Sequence, residues 1–461
     1  MTAGASAAIQ TFRDPAGSLR VEGNVVRRTV RPQYARAALD FLDSDLAAAL
    51  VNQSRLIATS VAGESSLTGE ILLEHPRVFF PSYPWEWTPA AWIAAAELTL
   101  DLCEELLPHG LILKDATPLN ILFEGTRPVF VDILSIEKRD PESPLWLAYA
   151  QFVRTFLLPL AAYRYLGWPL AASLQKRDGY EPSDLYAHLS AFQRWRQPFR
   201  SLVTLPCLLE KKQKTAAPTR MLKQAPEIAA AVLGRNLRRL RSILQSLKPG
   251  EHESRWSRYP ESADHYSEQD HQQKQTFLRK ALVRAAPRRV LDLGANTGVY
   301  SRIAAGMGAD VIAWDTDLAA TERNWQRAFE QRLPVQPLIA DVARPTPPAG
   351  WRNAESLALL DRAHQKFDCV MMLGLIHHLL VADQIPLEEV ASLLGDLTHR
   401  WAIVEWIPPT DPRFGELVRG RDELYGHLNE AQFSQVIARY FSPVLEERLK
   451  NGRTLYLLEV R

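Results

Sequence analysis

The chain has 461 residues, with 54 lysines and arginines against 53 acidic residues and a formal net charge of +1. A hydrophobic share of 46% and a charged share of 23% belong to a globular chain with a sizeable core, and at ~100–200 residues per domain this length predicts two or three domains. The near-zero charge balance argues against wholesale binding to nucleic acid or an anionic membrane. Three scattered cysteines, Cys103, Cys207 and Cys369, make neither a disulfide framework nor a zinc site, which fits a reducing, cytoplasmic compartment.

The opening segment MTAGASAAIQTFRDPAGSLR has no basic stretch followed by an apolar one and is not expected to act as a signal peptide. Residues 1–205 mix short strand-like and helix-like runs rich in Trp, Tyr and Pro, with no lysine before Lys114. Residues 91–108 (AWIAAAELTLDLCEELLP) carry the apolar spacing of an amphipathic helix. The stretch that follows, HGLILKDATPLNILFEGTRPVFVD, places Asp115, then Asn120 five residues on, then Asp132 after a predicted hairpin. This order resembles the catalytic loop of protein-kinase-like and aminoglycoside-phosphotransferase-like folds. The resemblance implies Asp115 as a base and Asn120 and Asp132 as magnesium ligands. The departures are specific: Leu113-Lys114-Asp115 stands for His-Arg-Asp, Ile133-Leu134 follows Asp132 in place of Phe-Gly, and neither an upstream lysine nor a Gly-rich loop is present to hold phosphates. The alternative is a turn in which Asp115 and Asn120 cap local backbone. Residues 1–205 are therefore expected to be an α+β accessory or acceptor-binding domain, kinase-like but degenerate.

The most apolar long stretch, FLLPLAAYRYLGWPLAASL at 156–174, carries Arg164, Pro159, Gly167 and Pro169, and reads as buried helices instead of a membrane span, which wants ~20 apolar residues. Residues 206–265 read as a basic helical connector. Leu233, Leu237, Leu240, Leu244 and Leu247 form a helical stripe that begins after Pro226 and is stopped by Pro249-Gly250. The opposite face, with Arg235, Arg238, Arg239 and Arg241, reads as the solvated side of a packing helix.

Residues 266–461 alternate strand-like and helix-like segments, which predicts an α/β sheet. Val290–Leu293 is a short apolar strand, residues 294–298 a small-residue turn, and Val299–Gly306 a helix. Such a turn lets a ligand approach the backbone and points helix N-terminal amides at it. The next strand, Asp310–Trp314, ends at Asp315, 23 residues after Asp292, where a carboxylate accepts both hydroxyls of a ribose. A dinucleotide fold wants G-x-G-x-x-G with room for a pyrophosphate; the string here is D-L-G-A-N-T-G, with an acid before Gly294 and Asn296 in the turn. A carboxylate there repels a pyrophosphate and suits a zwitterion with a cationic end.

The string Asp292, Gly294, Asn296, Gly298 resembles motif I of class I S-adenosyl-L-methionine (SAM)-dependent methyltransferases, in their D-x-G-x-N-x-G form. The resemblance implies a seven-stranded Rossmann-like sheet. It places Asp315 on the ribose and Asp341 near the adenine amine. Leu373 follows the fourth strand, Phe367–Leu373, and Tyr266 lies ahead of the first helix over the methionine end. The steps Asp292, Asp315, Asp341, Asp368 are 23, 26 and 27 residues. A fifth strand at Trp401–Glu405 and a closing hairpin within Phe441–Val460 complete the sheet.

Methyl transfer to a hydroxyl needs a group to take the proton. His377 and His378 follow the fourth strand, and an imidazole of unperturbed pKa ~6.5 suits that task; His378 is favoured, on the resemblance. Glu405, after the fifth strand, is expected either to orient an acceptor hydroxyl or His378, or to pair with Arg419 or Arg421. No Asp/Asn-Pro-Pro-aromatic, no Pro-Cys nucleophile at the right place and no carboxylate cluster for a metal point to other methylation chemistries, so an O-methyl acceptor is expected first, with N- or C-methylation left open.

The strings at Phe12–Gly17, Pro84–Trp87, LKDATPLNILFEGTRPVFVDILSIE and Trp146–Phe152 extend the resemblance over the whole chain, to a bacterial group of two-part SAM methyltransferases related to a rhizobial nodulation protein. That implies a small-molecule or saccharide acceptor, with neither nucleic acid nor membrane as partner. Two other readings stand beside it: a scaffold protein with a pseudokinase-like domain regulated by SAM, and a phosphotransferase using Asp115 and Asp132.

Overall fold

The computed structural model describes all residues except 1–9, 12, 66, 214–222, 249, 251–253, 255–267, 419 and 421. The chain divides into two units, Met1–Glu251 with Gly350–Glu355, and His252–Ala349 with Ser356–Arg461. The boundary between the units falls inside the segment 206–265. Its helix Pro226–Ser246 belongs to the first unit, and a short excursion at 350–355 also joins that unit.

In the first unit, β1 (Gln10–Thr11), β2 (Gly17–Glu22), β3 (Val25–Val30), β4 (Ser60–Glu64) and β5 (Ile71–Pro76) form an antiparallel sheet in the order β1-β2-β3-β5-β4. Helix Pro89–Leu106 starts on a proline, where a missing N–H costs nothing, and the Thr88 hydroxyl caps it by accepting from the Ala91 N–H at 3.3 Å. Beyond it, β6 (Leu111–Leu113) pairs with β9 (Ile136–Lys138), and β7 (Ile121–Glu124) with β8 (Arg127–Phe130). The apolar run at 156–174 forms short buried helices, one of them closed by Gly167 in the left-handed region at φ 71°. No described helix is long and apolar enough to cross a membrane.

Helix Pro226–Ser246 packs on helix Pro89–Leu106. Leu233, Leu237, Leu240 and Leu244 are buried on that side, while Arg235, Arg238 and Arg239 face solvent. Arg241 reaches back between Asp101 (2.6 Å) and Glu104 (2.9 Å). The leucine stripe therefore holds this helix, with Arg241 setting its register. Leu237→Ala is expected to cost about 2–5 kcal/mol, through lost burial and the cavity left behind. Arg239→Ala should stay within about 0.5 kcal/mol of the parent. Urea denaturation followed by circular dichroism checks both.

The second unit is a seven-stranded sheet ordered β12-β11-β10-β13-β14-β16-β15, flanked by helices. Its strands are β10 (Arg289–Leu293), β11 (Asp310–Asp315), β12 (Val335–Ile339), β13 (Phe367–Met372), β14 (Thr398–Trp406), β15 (Phe441–Arg448) and β16 (Thr454–Val460). The first five run parallel, and β16 lies antiparallel between β14 and β15. Parallel strands covered on both faces need near-continuous apolar sequence, which RVLDL, DVIAWD and FDCVMM supply apart from their acids. From β10 the chain builds outward to β11 and β12, then returns to lay β13 on the opposite side. Between β10 and β13 successive connections leave in opposite directions, and this opens a crevice at the carboxyl ends of the strands.

Candidate active site

The crevice is a cavity of about 610 Å³ within the second unit. The turn after β10 forms its floor. Gly294 (φ 70°), Asn296 (φ 50°) and Gly298 (φ 75°) all lie in the left-handed region. At Gly298 a Cβ would fall 1.8 Å from Asn324 Oδ1, so the residue is glycine for space as well as for backbone angle. The Asn296 side chain accepts from the Thr297 N–H at 2.6 Å and fixes its own strained position.

Asp315, at the end of β11, lines the cavity. The Asn296 N–H donates to its Oδ2 at 2.7 Å and the Asp317 N–H to its Oδ1 at 2.8 Å. Burial raises its pKa, and the backbone donors oppose that shift. Asp341 lines the same cavity just beyond β12, accepting from the Ala343 N–H (2.8 Å) and from Arg344, which bridges to Asp383 at 2.8 Å. Leu373 and Gly374, after β13, form the facing wall.

The remaining expected residues sort by where the structure puts them. Asp292 is fully buried behind the floor and is not among the lining residues; it accepts from the Ser301 hydroxyl at 2.6 Å. Asp368 lies at the opposite end of β13, level with Arg289, where it accepts the Arg288 and Arg289 N–H groups at 2.8 and 2.9 Å. Its even spacing in sequence therefore does not reflect a place in the crevice. Tyr266, Arg419 and Arg421 lie outside the described residues.

His377 and His378 both line the cavity, with ring centroids 4.2 Å apart. Burial first, then the nearby His378 and Arg453, hold His377 well below its ordinary pKa. Its Nδ1 is buried with no hydrogen-bond partner among the described residues. His377 is thus a neutral imidazole at neutral pH.

Glu405 does not reach the cavity surface. It is 0% exposed, with Lys274 Nζ at 2.5 Å on one oxygen and Arg453 Nη1 at 3.3 Å on the other. Asp411 in turn takes Arg453 through Nε (2.7 Å) and Nη2 (3.2 Å), a forked pair. Glu405 is therefore a buried counter-ion, and the cations it holds, Lys274 and Arg453, are the groups that line the cavity. Sequence reasoning missed both, together with His271, Tyr300 and Arg413. Lys274 sits in a polar helix, Glu268–Ala285, where nothing in the spacing distinguishes it from its exposed neighbours.

No family model matches the chain. It is similar to the nodulation protein NoeA of Rhizobium meliloti (strain 1021), with 29% identity over 468 aligned residues that cover 97% of this chain and 95% of the relative. Among solved structures it is similar to magnesium protoporphyrin IX methyltransferase (ChlM) from Synechocystis PCC 6803 with bound S-adenosylhomocysteine, at 20% identity and a TM-score of 0.31 over 42% of this chain and 84% of that one. It is also similar to the N-methyltransferase NodS from Bradyrhizobium japonicum WM9, at 12% identity and a TM-score of 0.31 over 42% of this chain and 98% of that one. The Synechocystis enzyme has been crystallised with SAM as well.

Asp292 carries a pH prediction. Burial pushes its carboxyl up to about 7, against 3.8 in the unfolded chain. Between those values the folded state holds a proton that the unfolded state has released, so this group's contribution to stability falls as pH rises from about 4 to about 7. The span corresponds to a loss on the order of 4 kcal/mol. Asp292→Asn, which keeps the shape and removes the titration, should flatten that limb. Urea midpoints measured at pH 5 and pH 8 for both proteins test this, and a parent and variant with the same pH slope would refute it.

Proposed function

We propose that the second unit is a SAM-dependent methyltransferase that methylates a hydroxyl of a small-molecule or saccharide acceptor. The observation that carries this reading is Asp315, a carboxylate at the cavity surface whose two oxygens are each aimed by one backbone N–H. A carboxylate at that point accepts both hydroxyls of a ribose, and the turn beneath it, D-L-G-A-N-T-G, departs from the G-x-G-x-x-G that cradles a pyrophosphate. The residues present fit SAM. The left-handed turn 294–298 gives a floor of small residues, Asp315 and Asp341 offer carboxylates to hydroxyl and amine donors, and Leu373 gives an apolar wall for a base.

When bound, the cofactor supplies an electrophilic methyl group on a sulfonium. The chain's own residues hold the acceptor against it, exclude water and take a proton. Alignment and desolvation are the main contributions a protein makes to such a displacement. His378, half-buried at the cavity wall, is assigned to proton acceptance. His377, neutral behind it, adds no charge to repel the imidazolium that forms. Similarity over 97% of the chain to a nodulation protein supports reading both units as parts of one architecture, with the first unit serving acceptor or partner binding.

A second reading concerns that first unit. The β6–β9 and β7–β8 pairs enclose Asp115, Asn120 and Asp132, and the preceding sheet runs β1-β2-β3-β5-β4, an arrangement that supports a kinase-like frame. Arg28 on β3 pairs with Asp132 at 2.7 Å, and Lys114 pairs with Asp14 at 3.5 Å. Asp132, the residue read as a magnesium ligand, thus already has a cation at one oxygen. We read this frame as a binding module without phosphotransfer.

Asp315→Ala is expected to weaken SAM binding by about 1.5–3 kcal/mol, the scale of hydrogen bonds to a charged group. Unchanged affinity in calorimetry would remove the ribose assignment. His378→Ala should lower kcat by ~10²-fold or more with little change in SAM affinity. In a thermal-shift titration SAM should raise the melting temperature by mass action, while magnesium-ATP should not. A shift with magnesium-ATP would restore the phosphotransferase.

A further inference from the structure

Besides Asp315 and Asp341, the cavity is lined by His271, Lys274, His377, His378, Arg413 and Arg453, and by Glu416, the ion-pair partner of Arg413. The carboxylates that balance the two most buried cations, Glu405 and Asp411, stand behind them and do not line the cavity. Lys274, Glu405, Asp411 and Arg453 all have side chains no more than 5% exposed. Such a cluster is costly, because each buried ion loses several kcal/mol of hydration and well-packed apolar residues would be as stable or more so. Its orientation is informative: the positive members face the cavity and the negative members face the protein. Arg413, on helix Pro412–Val418, extends this wall toward the rim, where its partner Glu416 (2.9 Å) has a half-exposed side chain. At His377 burial and His378 come first in disfavouring the protonated ring; Arg453 and Lys274 add to this and Glu405 opposes it.

We infer that the acceptor carries an oxyanionic group beside its reacting hydroxyl, and that Lys274, Arg453 and Arg413 hold it. The inference rests on the methyl-transfer reading above and narrows its acceptor class. A neutral sugar ring makes no use of three guanidinium and ammonium groups turned inward, whereas a carboxylate or phosphate gains charge-assisted hydrogen bonds from them. A cavity of about 610 Å³ falls within the ~300–1,000 Å³ that encloses one drug-sized ligand. Beside a cofactor it has room for one end of an acceptor, so the anionic group and the hydroxyl lie close together on that end.

The test uses the purified full chain and SAM labelled in the methyl group. A metabolite extract of cells that express the protein is separated on an anion exchanger, and each fraction is assayed for label transfer. Transfer into the anion-retained fractions is the expected result. Transfer only into unretained fractions overturns the inference and leaves methyl transfer standing. No transfer in any fraction, with SAM bound in calorimetry, overturns the methyl-transfer reading and this inference with it. Phosphatase treatment of the active fraction separates the two oxyanions: transfer is lost for a phosphate monoester and persists for a carboxylate. Arg413→Gln should then weaken binding of the purified acceptor to the S-adenosylhomocysteine-loaded chain about tenfold, measured by calorimetry, with SAM affinity unchanged. If the variant weakens SAM by the same factor, the wall reads the cofactor's own carboxylate and the inference fails. An acceptor affinity that does not change also defeats it.

Discussion

The second unit is organised around one buried carboxylate. Glu405 sits on β14 with no solvent contact, and its two oxygens are taken by Lys274 from the helix Glu268–Ala285 and by Arg453, just ahead of β16. Arg453 then forks to Asp411, whose Oδ1 also accepts the Arg413 N–H and so starts the helix Pro412–Val418. Three stretches far apart in sequence, at Lys274, at Glu405 to Arg413 and at Arg453, are thereby tied together. Removing any member would leave an uncompensated ion in a dry interior, a far larger cost than the net worth of the intact set. The same cations shape the site: they line its wall and bias His377 toward the neutral form.

Legibility from sequence followed the range of the interaction. The strands were readable because parallel, doubly covered strands need unbroken apolar runs, and the turn at 294–298 because only small residues tolerate three left-handed positions in five. Asp315 and Asp341 were readable because each terminates such a run. Asp368 was misplaced by the same logic, since a regular interval cannot tell the start of a strand from its end; it caps the Arg288–Arg289 backbone at the far edge of the sheet. Lys274 and Arg453 were invisible because their partner, Glu405, lies 131 and 48 residues away, and nothing local marks a lysine that will be buried. For Glu405 the sequence leaves two tasks open, orienting an acceptor or pairing with a cation, because a carboxylate after a strand looks alike whether it faces a ligand or a lysine; the structure shows the ion pair, with Lys274 and Arg453 as partners.

In the first unit the leucine stripe of Pro226–Ser246 was equally legible, and so was the solvated side of its arginines. What composition could not show is that this helix belongs to that unit. The leucines hold it there, and its register depends on Arg241 meeting Asp101 and Glu104, a contact across 137 to 140 residues. The cluster of Asp14, Lys114, Asp115, Asp132 and Arg28 is likewise assembled from three separated stretches. Burial and the neighbouring Asp132 and Asp14 raise the Asp115 carboxyl, with Lys114 opposing.

Asp292 and Asp315 show how one turn divides labour between two acids. They stand at the ends of adjacent paired strands, near enough that each disfavours ionisation of the other. The conflict is resolved by unequal solvation. Asp292 accepts from the Ser301 hydroxyl and backbone N–H but has no access to the cavity, so burial wins, pushing it up to about 7, and a large share stays protonated at neutral pH. Asp315 receives two backbone N–H groups that cannot be withdrawn, and these favour its charged form. A neutral Asp292 removes the repulsion that a second buried anion would impose on Asp315. The acid hidden behind the floor thus helps the one at the surface to remain a hydrogen-bond acceptor, and the D-x-G-x-N-x-G string matters as much for the charge it suppresses as for the charge it presents.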